Sequence, residues 1–424
     1  MSEDPVKCSF CDRPRNEVEG LIPSNLVKGT YICDKCLEQG NAAFAAERAR
    51  DLGDFTVELP KPLEIVGMLD DYVIGQSWAK ETTSAAVYKH YKRRKMEKMG
   101  FQFEGENVEI KKANILMTGP SGSGKTQIAR TIARILNVPF FIQDATRLTQ
   151  AGYVGEDVDV IIQGLLERAG GDPERAQWGI VVIDEMDKIA RKSGHHSSGY
   201  RDVTGEGVQQ ALLKLVEGGE ITVGASKGSR MIDPTMQHTV TVDTTNILFI
   251  CMGSFDGIQD VVNKRINKGS RLGFGNTTRK DLDDAEVYKI LEEEDILEFG
   301  IIPELAGRLP VLTGVSKLTE DELYQILTEP KDALVKQFRA LYSLDEIDLQ
   351  FDDAALRAIA RKAKNRKTGA RALSSILERL MNPWDTKVPS MNLKAFRVTE
   401  DFIEGRSEPI LVENGRKESK AAKA

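Results

Sequence analysis

Between about residues 63 and 313, short all-apolar runs alternate with stretches whose apolar residues recur every three or four positions. The runs Asn114–Thr118, Pro139–Gln143, Ile180–Asp184 and Ile247–Met252 lack polar alternation. That is the pattern of strands buried on both faces of a parallel sheet. The periodic stretches read as amphipathic helices. Over 126–136 the residues Ile128, Ala129, Ile132, Ala133 and Leu136 share one face, and over 206–217 so do Val208, Ala211, Leu212, Leu215 and Val216. The alternation predicts an α/β domain with helices on both sides of the sheet.

Residues 314–412 carry a different pattern and predict a separate, smaller α+β lid domain, mostly helical. Thr319 followed by Glu322 is a capping-box start. Helices are expected over 319–342, 352–365 and 369–382, and strands over 346–351 and 394–398. Pro383 is expected to end or kink its helix. Residues 1–40 have too few apolar positions for a core of their own. Residues 41–62 read as a linker, with Ala42–Leu52 open to a helical reading and Pro60-Lys61-Pro62 marking a boundary. Residues 413–424 form a tail whose Lys-, Ala- and Ser-rich end predicts disorder. Ser193–Gly199 and Gly224–Ser229 are expected to be mobile surface loops. No internal repeat is present in the sequence.

Composition adds bounds. At ~150 residues per domain, 424 residues suggest two or three domains, and 41% hydrophobic with 29% charged residues is the balance of a soluble globular protein. No run approaches the ~18 apolar residues needed to span a bilayer. The acidic N-terminus has no apolar core and does not read as a secretion signal, so a cytoplasmic location is expected. A net charge of −7 counts against a dedicated nucleic-acid binder. The basic stretch Lys89–Lys98 reads as a solvated helix face.

Four of the five cysteines lie within the first 36 residues. Cys8 and Cys11, and Cys33 and Cys36, form two Cys-x-x-Cys knuckles, a spacing suited to tetrahedral Zn²⁺. A module this small needs such a staple, and zinc can supply ~10–16 kcal/mol of folding energy. Disulfides are disfavoured in a cytosolic chain. Four protein ligands close the site, so it is structural. Cys251, inside an apolar run, reads as a small buried hydrophobe, and the pair His195-His196 as part of a polar loop.

The segment Gly119-Pro120-Ser121-Gly122-Ser123-Gly124-Lys125-Thr126 matches the phosphate-loop pattern in full, between a strand and a helix. Its glycines let backbone N–H groups turn toward phosphates. Lys125 would reach the β- and γ-phosphates, and the Thr126 hydroxyl would ligate Mg²⁺. The strand Ile180–Asp184 brings Asp184 and Glu185 to its C-terminal tip, the edge at which such sheets bind ligands. Asp184 would hold Mg²⁺ and Glu185 would activate the attacking water. The second acid favours hydrolysis over binding alone.

Taken together, the chain resembles the ClpX family of AAA+ protein unfoldases. The resemblance runs from the cysteine module to about residue 412. It rests on Asp70-Asp-Tyr-Val-Ile-Gly-Gln76, the phosphate loop, Ala151–Asp157, Arg201–Leu213, Ile302–Pro310 and Lys367-Thr-Gly-Ala-Arg371. It implies a homohexamer that binds ATP between subunits, with Arg308 as an arginine finger reaching a neighbour's γ-phosphate and Arg371 sensing nucleotide in its own subunit. It places Val73 and Ile74 at the adenine pocket and Gln127 beside the phosphate loop. Tyr153 and Val154, between Gly152 and Gly155, correspond to an axial pore loop, and Tyr200–Thr204 to a second. Leu272-Gly273-Phe274 corresponds to the loop that docks on the ClpP peptidase, where the family usually begins with Ile. The zinc module is expected to recruit substrates or adaptors and is open to dimerisation. One departure is that Lys227–Pro234 lacks the Arg-Lys-His triplet of the family's pore entrance, leaving Arg230 as the evident candidate. The usual C-terminal degradation tags are therefore not implied. Two other readings remain at this point: a remodelling chaperone without a peptidase, and a zinc-finger nucleic-acid translocase, which the acidic charge disfavours. The sister HslU type lacks the cysteine module.

Overall fold

The computed structural model describes residues 6–24, 27–40, 57–104, 106, 108–148, 158–191, 205–224, 239–269, 284–366 and 368–414. The chain divides into two units, Met1–Thr56 and Val57–Ala424.

In the first unit β1 (Leu21–Pro23) pairs antiparallel with β2 (Tyr31–Cys33), Leu21 facing Cys33. A helix, α1 (34–40), follows directly. Cys8, Leu21 and Cys33 are its buried cluster, with Cys11, Val18, Tyr31 and Cys36 packed around them. Sulfur thus supplies much of what little core there is.

The second unit opens with α2 (Pro62–Asp70) and α3 (Ser77–Lys98). There follow β3 (Ile115–Thr118), α4 (Lys125–Leu136), β4 (Phe140–Asp144), α5 (Asp159–Arg168), α6 (Pro173–Ala176), β5 (Ile180–Asp184) and α7 (Gly205–Glu217). An antiparallel ribbon of β6 (Glu220–Gly224) and β7 (Thr239–Asp243) leads to β8 (Leu248–Gly253). The first half ends with α8 (Ile258–Gly269), α9 (Asp284–Lys289), α10 (Glu293–Phe299), α11 (Pro303–Ala306) and β9 (Val311–Gly314). Five strands form one parallel sheet in the order β4-β5-β8-β3-β9. Every residue of β3 and β8 is buried, as their unbroken apolar runs require. The carboxyl ends of β3, β5 and β8 open on the same edge, next to the point where strand order reverses.

The remainder comprises α12 (Glu320–Thr328), α13 (Leu334–Leu344), β10 (Asp348–Phe351), α14 (Asp353–Lys364), α15 (Arg371–Asp385), β11 (Leu393–Val398), α16 (Glu400–Ile403) and β12 (Ile410–Glu413). β11 pairs parallel with β10 and antiparallel with β12. Leu323, Phe338, Ile359, Leu377 and Phe396 belong to its own core, distinct from the core around the five-stranded sheet.

Three expectations are corrected. The helix expected over 319–342 is two helices. Pro330 has no N–H to continue the first, and the Lys331 N–H instead donates to the Asp71 carbonyl at 2.8 Å. Pro383 does not end its helix, because α15 continues to Asp385. Only one backbone bond is lost so near the end, and Trp384 anchors the last turn edge-on against Phe396 at 5.6 Å. The basic stretch is a solvated face only in part: Lys89, Lys92 and Lys98 are exposed, but His90, Arg93 and Arg94 are buried. The Arg94 guanidinium lies 3.7 Å from the Trp178 ring, and Arg93 donates to Asn246 Oδ1 at 2.6 Å. Rings and aliphatic stems supply apolar surface while the charged tips find acceptors.

This packing makes a pH prediction. Nε2 of His90 lies 3.1 Å from the Asn246 carbonyl, and Nδ1 has no partner. Burial, then the charges of Arg93, Lys112 and Arg94, push the imidazole well below its ordinary value. The folded chain holds His90 neutral, whereas the unfolded chain protonates it below about pH 6.5. Stability from this group is present above that pH and is lost as pH falls. As pH falls from about 6.5 toward 5 the protein should lose more stability than His90→Gln does, read from denaturant midpoints of the two chains.

Candidate functional site

The sheet's carboxyl edge and the α12–α15 layer enclose a groove of about 1100 Å³, slightly above the ~300–1,000 Å³ of ordinary small-molecule sites. Its floor is the loop joining β3 to α4. Gly122 there has φ +72, and a Cβ would strike the Thr368 carbonyl, so only glycine fits. Pro120 through Gln127 line the groove; Gly119 sits behind them, its carbonyl accepting from Lys125 Nζ at 2.5 Å. The same ammonium donates to the Pro120 carbonyl at 2.9 Å. Burial pulls the Lys125 amine below its usual value, opposed chiefly by the charge of Asp184. With the first turn of α4 facing the groove, the loop offers backbone donors and one ammonium to an anion.

Opposite stand the carboxylates. Asp184 and Glu185 both line the groove. Glu185 has φ +58, a left-handed conformation uncommon for glutamate, and its N–H donates to Asp184 Oδ1 at 2.9 Å. This sharp turn at the strand tip lets adjacent residues face one space. Asp187 and Ser254 also line it and were missed in the sequence. The Ser254 N–H and hydroxyl donate to the two oxygens of Asp187 at 3.0 and 2.9 Å, tying the tips of β5 and β8 together. Burial pushes the Asp187 carboxyl up, but these bonds and Lys188 win and hold it below the usual range. The position of Ser254, just past an apolar strand, was the available signal.

The far wall comes from the α12–α15 layer. Arg371 reaches Ser121 Oγ at 3.4 Å, and the Ala370 N–H donates to the Gly122 carbonyl at 2.9 Å. Leu318, Leu323 and Ala363 give the groove an apolar patch, a second feature the sequence did not disclose. Val73 and Ile74 do not line it. Val73 is buried behind the loop, and its carbonyl accepts from Lys80 at 2.8 Å. Gln127 faces Asp332 at 3.4 Å. Arg308 also lies outside the groove: its Nε and Nη2 donate to Glu217 Oε1 at 3.1 and 2.8 Å. Tyr153, Val154, Tyr200–Thr204, Arg230, Leu272, Gly273 and Phe274 lie outside the described residues, as do His195, His196, the loop Ser193–Gly199, residues 225–229 of the second loop (Gly224 ends β6) and residues 415–424. Cys251 is fully buried, and burial pushes its thiol up to about 12.

In the first unit the sulfurs of Cys8, Cys11, Cys33 and Cys36 all lie within 4.8 Å of one another. The Cys11–Cys33 separation is 3.7 Å, close to the ~3.8 Å edge of a tetrahedron with Zn–S bonds of ~2.3 Å. Backbone N–H groups of Cys33 and Cys36 point at Cys8 Sγ and Cys33 Sγ at 3.3 and 3.4 Å, a setting that favours thiolates. The donor set fits Zn²⁺ with no open position. Cys33→Ser, or a strong chelator, should unfold residues 6–40, because up to ~10–16 kcal/mol of metal-linked folding energy is removed. Limited proteolysis should then cut this unit, while the melting midpoint of the unit from Val57 shifts by less than about 2 °C.

Comparison with known proteins agrees with both sites. Residues 6–45 match the ClpX C4-type zinc finger, residues 110–312 the AAA domain (Cdc48 subfamily), and residues 318–384 the C-terminal, D2-small domain of ClpB protein. The ATP-dependent Clp protease ATP-binding subunit ClpX of Treponema denticola is 44% identical over 386 residues, covering 91% of this chain and 90% of that one. Its counterpart in Bacteroides thetaiotaomicron is 44% identical over 413 residues, covering 96% and 97%. With a closed four-cysteine cluster ahead of a phosphate-loop sheet and its lid, the chain belongs to the ClpX family of AAA+ ATPases, whose cofactors are ATP with Mg²⁺ and Zn²⁺.

Proposed function

We propose that the chain forms a cytoplasmic homohexamer that unfolds protein substrates by ATP hydrolysis, threads them through an axial pore and delivers them to the ClpP peptidase. The observation that carries this reading is the groove itself, walled on one side by the phosphate loop and carboxylate pair and on the other by the lid. A nucleotide held there touches both layers, so a change in its phosphates bears on their relative position. Among the described residues no helix is long and apolar enough to cross a membrane.

The residues take these roles. Backbone donors from Pro120 to Thr126, with Lys125, hold the phosphates. Thr126 and Asp184 would hold Mg²⁺, which when bound offsets charge on the phosphates. Glu185 orients the attacking water, Arg371 reads the phosphates from the lid, and Leu318, Leu323 and Ala363 pack the base. Arg308, held by Glu217 outside its own groove, completes a neighbour's site. Tyr153 and Val154 grip the substrate by bulk rather than by sequence. Leu272-Gly273-Phe274 docks on ClpP, and the zinc module recruits substrates or adaptors.

The test is ATP-dependent degradation of a tagged, stably folded reporter with and without ClpP. Degradation is expected only with both ATP and ClpP. Deleting Leu272-Gly273-Phe274 should reduce degradation at least about tenfold while ATP hydrolysis stays within about twofold. Unfolding that proceeds equally with or without ClpP, together with no effect of the deletion, would favour a stand-alone remodelling chaperone. ATPase stimulated by DNA and not by unfolded protein would favour a nucleic-acid translocase.

A further inference from the structure

Gln76 sits where the phosphate loop, the turn before α3 and the crossing into the lid meet. Its side chain is buried, and its backbone is left-handed, with φ +57. The amide nitrogen donates to the Ser316 carbonyl at 2.9 Å and to the Ser123 carbonyl of the phosphate loop at 3.3 Å. The amide oxygen accepts the Ser316 N–H at 2.9 Å. Both amide hydrogens and the oxygen are therefore used, and the two bonds with the Ser316 peptide run both ways, as in a backbone pair.

Ser316 lies in the crossing between the end of β9 at Gly314 and the start of α12 at Glu320. The end of β3 and the start of the phosphate loop also hold that crossing: the Val315 N–H donates to the Thr118 carbonyl at 2.9 Å, and Gly119 packs so closely on the Val315 carbonyl that a Cβ would not fit. The residues around Gln76 also touch the lid directly. Gly75 faces the Glu322 carboxylate, and Asp71 holds Lys331 through an ion pair of 2.6 Å.

We infer that Gln76 is the positioning residue that couples the nucleotide to the lid, by fixing the Ser123 carbonyl of the phosphate loop and the Ser316 peptide of the crossing to one rigid amide. This rests on the groove being the ATP site. When Lys125 exchanges the carbonyls of Gly119 and Pro120 for phosphate oxygens, the loop backbone adjusts. Gln76 carries that adjustment to the residue about which the lid turns. No part of Gln76 needs to touch the nucleotide.

The test uses the full-length chain with Gln76→Glu, which keeps shape but cannot donate to the two carbonyls, and Gln76→Met, which keeps length and makes none of the bonds. Three quantities are read: the Kd for a fluorescent ATP analogue, the ATP consumed per folded reporter unfolded, and the melting midpoint. The expected result is a Kd within about threefold of the unaltered chain and an ATP cost per unfolding event raised about tenfold. An ATP cost within about twofold in both variants overturns the inference. So does a cost that rises only in step with a weakened Kd, or loss of the melting transition in both variants, because the side chain then serves only the loop or the fold. Should the unaltered chain fail to hydrolyse ATP or unfold the reporter, the proposed function fails; otherwise the result judges the coupling alone.

Discussion

Glu185→Gln is expected to leave ATP binding within about threefold of the unaltered chain while hydrolysis falls by about 10²–10⁴. Glu185 is at the tip of β5, turned by its left-handed backbone so that it shares the groove with Asp184. In the proposed mechanism binding rests on other groups that line the groove: the backbone of residues 120–126, Lys125, Thr126 and Asp184. Glutamine keeps the length and the polar tip but cannot take up a proton from water. The amide also preserves the backbone that lets the Glu185 N–H bond Asp184, so the fold at the tip should survive. A titration with a fluorescent ATP analogue and a steady-state phosphate-release assay separate the two effects. Hydrolysis that persists at more than about a tenth of the normal rate would remove Glu185 from its role.

Arg308→Ala should be at least as severe, with hydrolysis falling by about 10³–10⁵ and binding changing little. The guanidinium is more than half exposed and paired with Glu217 at 2.8 Å. An exposed pair of this kind contributes little to stability, so the loss would not be a folding effect, and an unchanged melting midpoint checks that. In the proposed ring the expected loss is large because the guanidinium would bring its charge to the transferring phosphoryl group of another chain. The isolated chain supplies no such charge from this residue, because Arg308 does not line its own groove.

The parts of the site that were legible in the sequence are those whose geometry is local. The phosphate loop is eight consecutive residues between a strand and a helix, and Asp184-Glu185 sit at the end of an apolar strand. Unbroken apolar runs placed β3, β4, β5 and β8 to within a residue, because parallel strands buried on both faces leave continuous apolar runs, whereas the edge strand β9 was not read. Features assembled from distant segments were not legible. Leu318, Leu323 and Ala363 look like ordinary core positions until the lid folds over the loop. Asp187 and Ser254 are 67 positions apart and meet only when β5 and β8 pair. The charge of Arg93 and Arg94 reads as surface, and only the approach of Trp178 and Asn246 explains their burial. Of the residues carried over from the family resemblance, Arg371 lines the groove.

The account's central claim is that each ATPase site is completed by a neighbour, and mixing two inactive subunits tests it most directly. Arg308→Ala and Glu185→Gln chains are mixed in equal amounts, allowed to exchange into common rings and assayed for ATP hydrolysis. A Glu185-bearing subunit whose neighbour carries Arg308 has a complete site, which random assembly of head-to-tail rings provides at about a quarter of the interfaces. The account predicts that the mixture regains hydrolysis well above either variant alone. Rings shown to be mixed that stay as inactive as their parents would contradict it, and would place Arg308 and Glu185 in the service of the same subunit.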